Sequence, residues 1–206
     1  MATINDCIGR DLDRQALNLA LQSLSIRLDA NRTECYKIVI CGGSALILGG
    51  LVNRTTQDVD VVALLRGNTL ASPDPIPPEL AKAVQETAED LGLPVNWLNN
   101  GPSRGDGGLF AMGLPEGFAD RLHDIRFGLR LHVYFIDRID QIHFKLYAAV
   151  DRGGYHITDL KALSPTDTEL VHAGRWAMMH DVSEAFAISL KQFLRTIGYA
   201  NASQGL

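Results

Sequence analysis

The sequence predicts a mixed α/β fold followed by a helical region, and three observations carry that prediction. "YKIVIC" is a short β-branched run that stops at Gly42-Gly43, as a buried strand does when it turns into its next element. "QDVDVVALL" is a second, valine-rich run of strand character. Beyond Asp137 the apolar spacing becomes helical and stays so. The chain is read as an α/β domain over residues 1–137 and a C-terminal helical region over residues 138–206, with no internal repeat.

In chain order, Leu12 to Leu28 carries apolar residues at helical spacing and predicts an amphipathic helix. After the first strand, Ser44 to Val52 reads as a helix with the serine in its first turn. In the second strand Asp58 and Asp60 fall on one face and Val59 and Val61 on the other, by the period of two. "RGNTLASPDPIPP" predicts an exposed loop leading to a helix from Pro78 to Leu91, and "LPVNWL" a strand. Residues 99–117 hold six glycines in nineteen positions without a period, which predicts a long mobile loop. "ADRLHDIRFG" and "LRLHVYFID" read as a hairpin turning near Gly128. Four helical stretches follow, the third capped by Ser164 with Pro165 at its first position and Asp167 completing a capping box.

Composition narrows the function classes. A chain of 206 residues that is 46% hydrophobic has the material for one or two packed domains, which excludes general disorder. No apolar run approaches the roughly 18 residues of a membrane span. The opening "MATINDCIGRDLDRQ" lacks the basic start and apolar core of a signal peptide, so a cytoplasmic protein without a membrane partner is expected. Cys7, Cys35 and Cys41 form no CxxC pair, and reduced thiols are the expectation. A net charge of -5 argues against broad electrostatic capture of nucleic acid and leaves room for a local basic patch.

The chemistry concentrates between Cys41 and Leu64. Two carboxylates at i and i+2 on a strand repel each other unless a cation lies between them, and magnesium is the cation that combines carboxylate ligands with open positions for phosphate. The preceding Gly42 and Gly43 let the backbone approach an oxyanion, and Ser44 adds a hydroxyl at a helix start. Taken singly, Gly-Gly-Ser also reads as an ordinary strand-to-helix turn, and Asp-x-Asp as a solvated edge strand. Their joint order places phosphate, metal and carboxylates in one corner.

That order, with thirteen residues between Ser44 and Asp58, resembles the signature of the nucleotidyltransferase superfamily, the DNA polymerase β-like group. The resemblance implies a mixed sheet flanked by helices, a Mg2+ cofactor and a nucleoside triphosphate substrate. It gives Ser44 to the triphosphate, Asp58 and Asp60 to the metal, and the shape of the turn to Gly42 and Gly43. Arg54 and Thr55 in "NRTTQDVD" resemble the Arg-x-Thr-x-Asp-h-Asp form common in bacterial members.

A second constellation follows. Lys145, Ala148 and Arg152 share a helix face, and Asp159 comes after the Gly153-Gly154 break, where it can turn back toward either cation. Both cations also read as surface residues with snorkelling stems. The run from Lys145 to Trp176 resembles the C-terminal region of nucleotidyltransferase-like proteins related to the abortive-infection toxin family, and looks closest to an uncharacterised branch of it. The resemblance implies roles in nucleotide transfer for Lys145 and Asp159, and a cognate antitoxin-like partner.

Active members of the superfamily add a third carboxylate on a neighbouring strand. Asp124 and Asp137 are the acids available for it, and His132 the residue that stands there if it is lost. His143, His156, His172 and His180 show no metal spacing and are assigned to packing or helix surfaces, and Trp97 and Trp176 to the core. The expected function is transfer of a nucleoside monophosphate from a nucleoside triphosphate to an acceptor hydroxyl: tRNA, a protein side chain or a small molecule. The alternative is a non-catalytic nucleotide-sensing or partner-binding component of a toxin-antitoxin-like system.

Overall fold

The computed structural model describes residues 11–206. Cys7 and the rest of the opening stretch lie outside the described residues. The chain forms two compact units: residues up to Leu114 together with Ala119–Ile136, and Pro115–Phe118 together with Asp137–Leu206.

The first unit is built on a six-stranded mixed sheet. Its elements are α1 (Arg14–Ala30), β1 (Tyr36–Cys41), α2 (Gly42–Leu48), β2 (Val59–Arg66), β3 (Thr69–Ala71), α3 (Pro78–Leu91), β4 (Leu98–Asn99), α4 (Leu109–Met112), β5 (His123–Arg126) and β6 (Leu131–Phe135). The strand order is β3-β2-β1-β6-β5, and β4 pairs with the start of β2. β1 runs parallel to β6 and antiparallel to β2.

Alternation gives the sheet two unlike faces. One carries Tyr36, Ile38, Ile40, Val61, Leu131 and Val133, all buried. The helices lie on it: the Tyr36 hydroxyl is 3.4 Å from Glu79 of α3, and Arg14 of α1 donates to Leu48 O at the end of α2 at 3.1 Å. Asp13 caps α1 by accepting from Ala16 N at 2.8 Å, so this helix begins two residues after the predicted start. The opposite face carries Asp60, Asn99, Lys37, His132, Tyr134, Asp124 and Arg126, by the registers of the paired strands. Asp60 and Asn99 therefore share a face with Lys37, His132 and Arg126.

Several boundaries differ from the sequence reading. α2 begins at Gly42 and ends at Leu48, where Gly50 takes a φ of +72° and the Arg14 guanidinium bonds the carbonyls of Ile47 and Leu48. Asp58 precedes β2, which starts at Val59. The stretch read as a loop after Arg66 includes β3, paired with the end of β2. The glycine-rich segment from Asn99 is tied down: Ser103 is buried and donates to Val62 O at 2.8 Å, while Asp74 accepts from Asn100 and from Gly105 N. Those side-chain bonds compensate for the missing period.

The second unit is helical, with α5 (Arg138–Arg152), α6 (Tyr155–Ala162), α7 (Asp167–His180), α8 (Glu184–Thr196) and α9 (Ala200–Gln204). Leu146, Ala149, Leu160, Leu170, Ala173, Leu190 and Leu194 are buried in it. Phe144 stacks between Phe118 and Trp176, with ring centroids 6.1 and 5.5 Å away. The cap of α7 is Thr166 rather than Ser164, and its capping-box partner is Glu169 rather than Asp167. Ser164 takes a φ of +47°, which leaves it outside the cap geometry. The same Glu169 is gripped by Arg138, Nη1 to Oε1 at 2.6 Å and Nη2 to Oε2 at 3.2 Å. Among the described residues no helix is long and apolar enough to cross a membrane.

Candidate active site

β1 delivers the chain to Gly42, whose φ is +68°. A Cβ at this position would lie 2.7 Å from Asp60 Oδ2, so glycine serves both the conformation and the space. At Gly43 a Cβ would meet Thr56 Oγ1 at 2.5 Å and an Arg54 guanidinium nitrogen at 3.1 Å. The two glycines thus hold the turn backbone directly against Arg54, Thr56 and Asp60. Ser44 is fully buried, and its hydroxyl donates to Cys41 O at 3.2 Å, closing the turn it sits in.

Asp60 is level with Cys41 of β1 on one side and Asn99 of β4 on the other. Asn99 Nδ2 lies 3.4 Å from Asp58 Oδ2, so one amide touches the first carboxylate while its residue pairs with the second. Both aspartates are half-buried. The segment before them is anchored by a bridge between Thr56 and Leu12, with N···O distances of 2.6 and 2.9 Å. Arg54 Nη1 donates to Thr55 O at 2.5 Å.

Thr55 itself is exposed, and Thr56 is the buried threonine that meets Gly43. Counting back two residues from Asp58 in the Arg-x-Thr-x-Asp spacing points to Thr56, a signal present in the sequence. Asn99 had no such signal, because only the pairing of β4 with β2 brings it to the aspartates.

The neighbourhood of the pair limits what it can bind. Asp124 is level with Tyr134 on β5, three strands from β2, about 14 Å at the usual strand spacing. That is well beyond metal-ligand reach of Asp58 and Asp60. His132 is level with Lys37, four residues before Cys41 and about 13 Å along the strands from the carboxylate row. The part of β6 nearest that row is Phe135 and Ile136, both apolar. Asp137 caps α5 by accepting from Ile139 N at 2.9 Å. Among the described residues no group of three or more His, Cys, Asp or Glu side chains is placed to hold a metal. Two carboxylates beside a glycine turn fit magnesium, which keeps most of its coordination shell for water and phosphate oxygens. They do not fit an ion that needs an all-protein cage.

In the helical unit, Lys145 and Asp159 form an ion pair at 2.8 Å with side chains only 4% and 2% exposed. The Tyr155 ring covers the ammonium, its centroid 5.5 Å from Nζ. Arg152, seven residues on along the same helix, is exposed and pairs with Asp151 at 3.1 Å. The two cations of one predicted face therefore have opposite environments. His180 packs on Trp176 at a tilt of 43°, centroids 4.0 Å apart, and His143 meets the same ring edge-on at 5.7 Å.

Residues 19–90 match the model of a family described as a nucleotidyltransferase of unknown function (DUF6036). The matched segment runs from within α1 to the end of α3 and includes Gly42, Gly43, Ser44, Asp58 and Asp60, which supports a nucleotidyltransferase-like domain there. No curated protein and no solved structure matches the chain.

Proposed function

We propose that the protein transfers a nucleoside monophosphate from a nucleoside triphosphate to an acceptor hydroxyl, with Mg2+ held by Asp58 and Asp60. The observation that carries this reading is the contact of the Gly42 turn with Asp60, since it sets phosphate-binding backbone beside a metal-binding carboxylate. Magnesium, when bound, would offset the charge of the triphosphate and polarise the α-phosphate.

The chain's own groups then have distinct tasks. Gly42 and Gly43 let the backbone approach the phosphates, and the Arg54 guanidinium beside Gly43 neutralises them. Ser44 holds the turn through Cys41 and reaches phosphate only by giving up that bond. Asn99 orients Asp58. In the helical unit Arg152 is exposed and paired with Asp151, while Lys145 and Asp159, buried on each other, hold α5 to α6. The acceptor oxygen bonds to the α-phosphorus, the bond to the β-phosphate oxygen breaks, and pyrophosphate leaves while the hydroxyl proton passes to solvent. The acceptor is tRNA, a protein side chain or a small molecule.

Ile136, apolar and following Phe135 beside the carboxylate row where a third carboxylate would assist, favours a second reading. In it the site binds nucleotide without transfer, as the sensing or partner-binding half of a toxin-antitoxin-like pair. Incubation with α-labelled ATP, CTP, GTP or UTP and candidate acceptors separates the two. Labelled acceptor and pyrophosphate made by the native protein and not by Asp60→Asn support transfer. Nucleotide binding with no pyrophosphate release under any acceptor overturns transfer in favour of the sensing reading.

A further inference from the structure

We propose that Lys37, His132 and Arg126 form an anion site on the polar face of the sheet, and that it receives the phosphate of a small phosphorylated acceptor. The three are neighbours by register: Lys37 of β1 pairs with His132 of β6, and His132 with Arg126 of β5. They make one transverse row of basic side chains on the face that carries Asp60. Lys37 and His132 are half-buried, and neither has a hydrogen-bond or ion-pair partner among the described residues. The Nδ1 of His132 is buried with nothing to bond.

Two basic side chains stand side by side here without a carboxylate between them, and an anion can bond to both. The acid within reach is Asp124, which Arg126 holds at 3.3 Å at the exposed edge of the sheet. Tyr134, between this row and the carboxylates, offers a hydroxyl; burial first, and then the charge of Asp124, hold its proton more tightly than usual. It therefore stays a hydrogen-bond donor at neutral pH.

The occupant follows from size and charge. The row spans two strand spacings, about 10 Å, which suits one phosphate and not a backbone tract. A net charge of -5 also disfavours a polyanion. The row lies about 13 Å along the strands from Asp60, so an elongated phosphorylated alcohol anchored here by its phosphate directs its far hydroxyl toward the metal corner. That role for the bound group rests on the nucleotide-transfer reading; the anion site does not.

The test is a titration of the full chain with inorganic phosphate at constant ionic strength, following the ring resonances of His132, identified by their loss in His132→Gln. The expected result is a saturable shift, weakened tenfold or more in Lys37→Met, kept within about threefold in Lys37→Arg and unchanged in Asp58→Asn/Asp60→Asn. Glycerol 3-phosphate should compete. A shift that rises linearly with phosphate, or equals that in chloride, overturns the site and leaves the nucleotide reading untouched. Displacement of phosphate by an eight-residue RNA at far lower concentration, with a steep salt dependence, overturns the small-molecule assignment. If Lys37→Met does not fold, the native titration and Lys37→Arg still decide.

Discussion

Lys145 Nζ stands 2.8 Å from Asp159 Oδ2 with both side chains almost wholly buried, which joins α5 to α6 across the Gly153-Gly154 break. Removing one partner leaves a buried charge without its counter-ion. Lys145→Met or Asp159→Asn should therefore lower the unfolding free energy by about 3–5 kcal/mol, and Lys145→Met/Asp159→Leu should recover most of it. Urea unfolding of the four proteins checks this, and single variants as stable as the native chain would refute the buried pair.

Gly42→Ala faces two obstacles, a φ of +68° and an Asp60 oxygen 2.7 Å from the new methyl. The backbone part costs about 1–2 kcal/mol. The steric part displaces the carboxylate, so magnesium-dependent nucleotide binding should fall by far more than stability alone would give. Calorimetry and thermal melting on the same sample separate the two effects.

Glu169 gives the helical unit a pH signature. The Arg138 fork, followed by the Thr166 backbone N–H, holds its carboxyl at about 2, below the ordinary 4.5, against the opposing effect of burial. A lowered folded value means stability present above about 4.5 and lost as pH falls toward 2. Glu169→Gln should remove on the order of 2 kcal/mol at neutral pH and flatten the stability profile in that acid window. Denaturation at pH 3, 4, 5 and 7 measures the slope, and identical slopes in both proteins would contradict the coupling.

Ser103→Ala leaves the Val62 carbonyl without its donor in a buried place. The expected cost is about 1–3 kcal/mol. Amide exchange in residues 100–113 should accelerate while β1 stays protected. Uniform acceleration across the sheet would mean that Ser103 acts globally and not as the anchor of its own segment.

What the sequence displayed and what it hid follow from the range of the interactions. "YKIVIC", the Gly42-Gly43 turn and the alternation at Asp58–Val61 are local patterns, and the structure shows the fold class they imply. The helix starting at Pro78 and the hairpin near Gly128 were legible for the same reason. Asn99 beside Asp58, Arg14 at the end of α2 and Ser103 on Val62 join residues more than 30 positions apart, and no local period announces them. The cap of α7 was misread by two residues because Ser164 and Thr166 offer the same chemistry, and backbone conformation chose between them. The seven-residue spacing of Lys145 and Arg152 placed both on one face of a helix. It said nothing of which one would be buried by α6.

The central claim is that Asp58 and Asp60 hold the metal of a nucleotide site, and the most direct measurement is calorimetric titration of ATP, CTP, GTP and UTP into the native protein and into Asp58→Asn/Asp60→Asn, with and without magnesium. The account predicts saturable binding of at least one nucleotide that requires magnesium and is lost in the double variant, while both proteins melt cooperatively. Binding that survives the double substitution, or none by folded native protein, would contradict it.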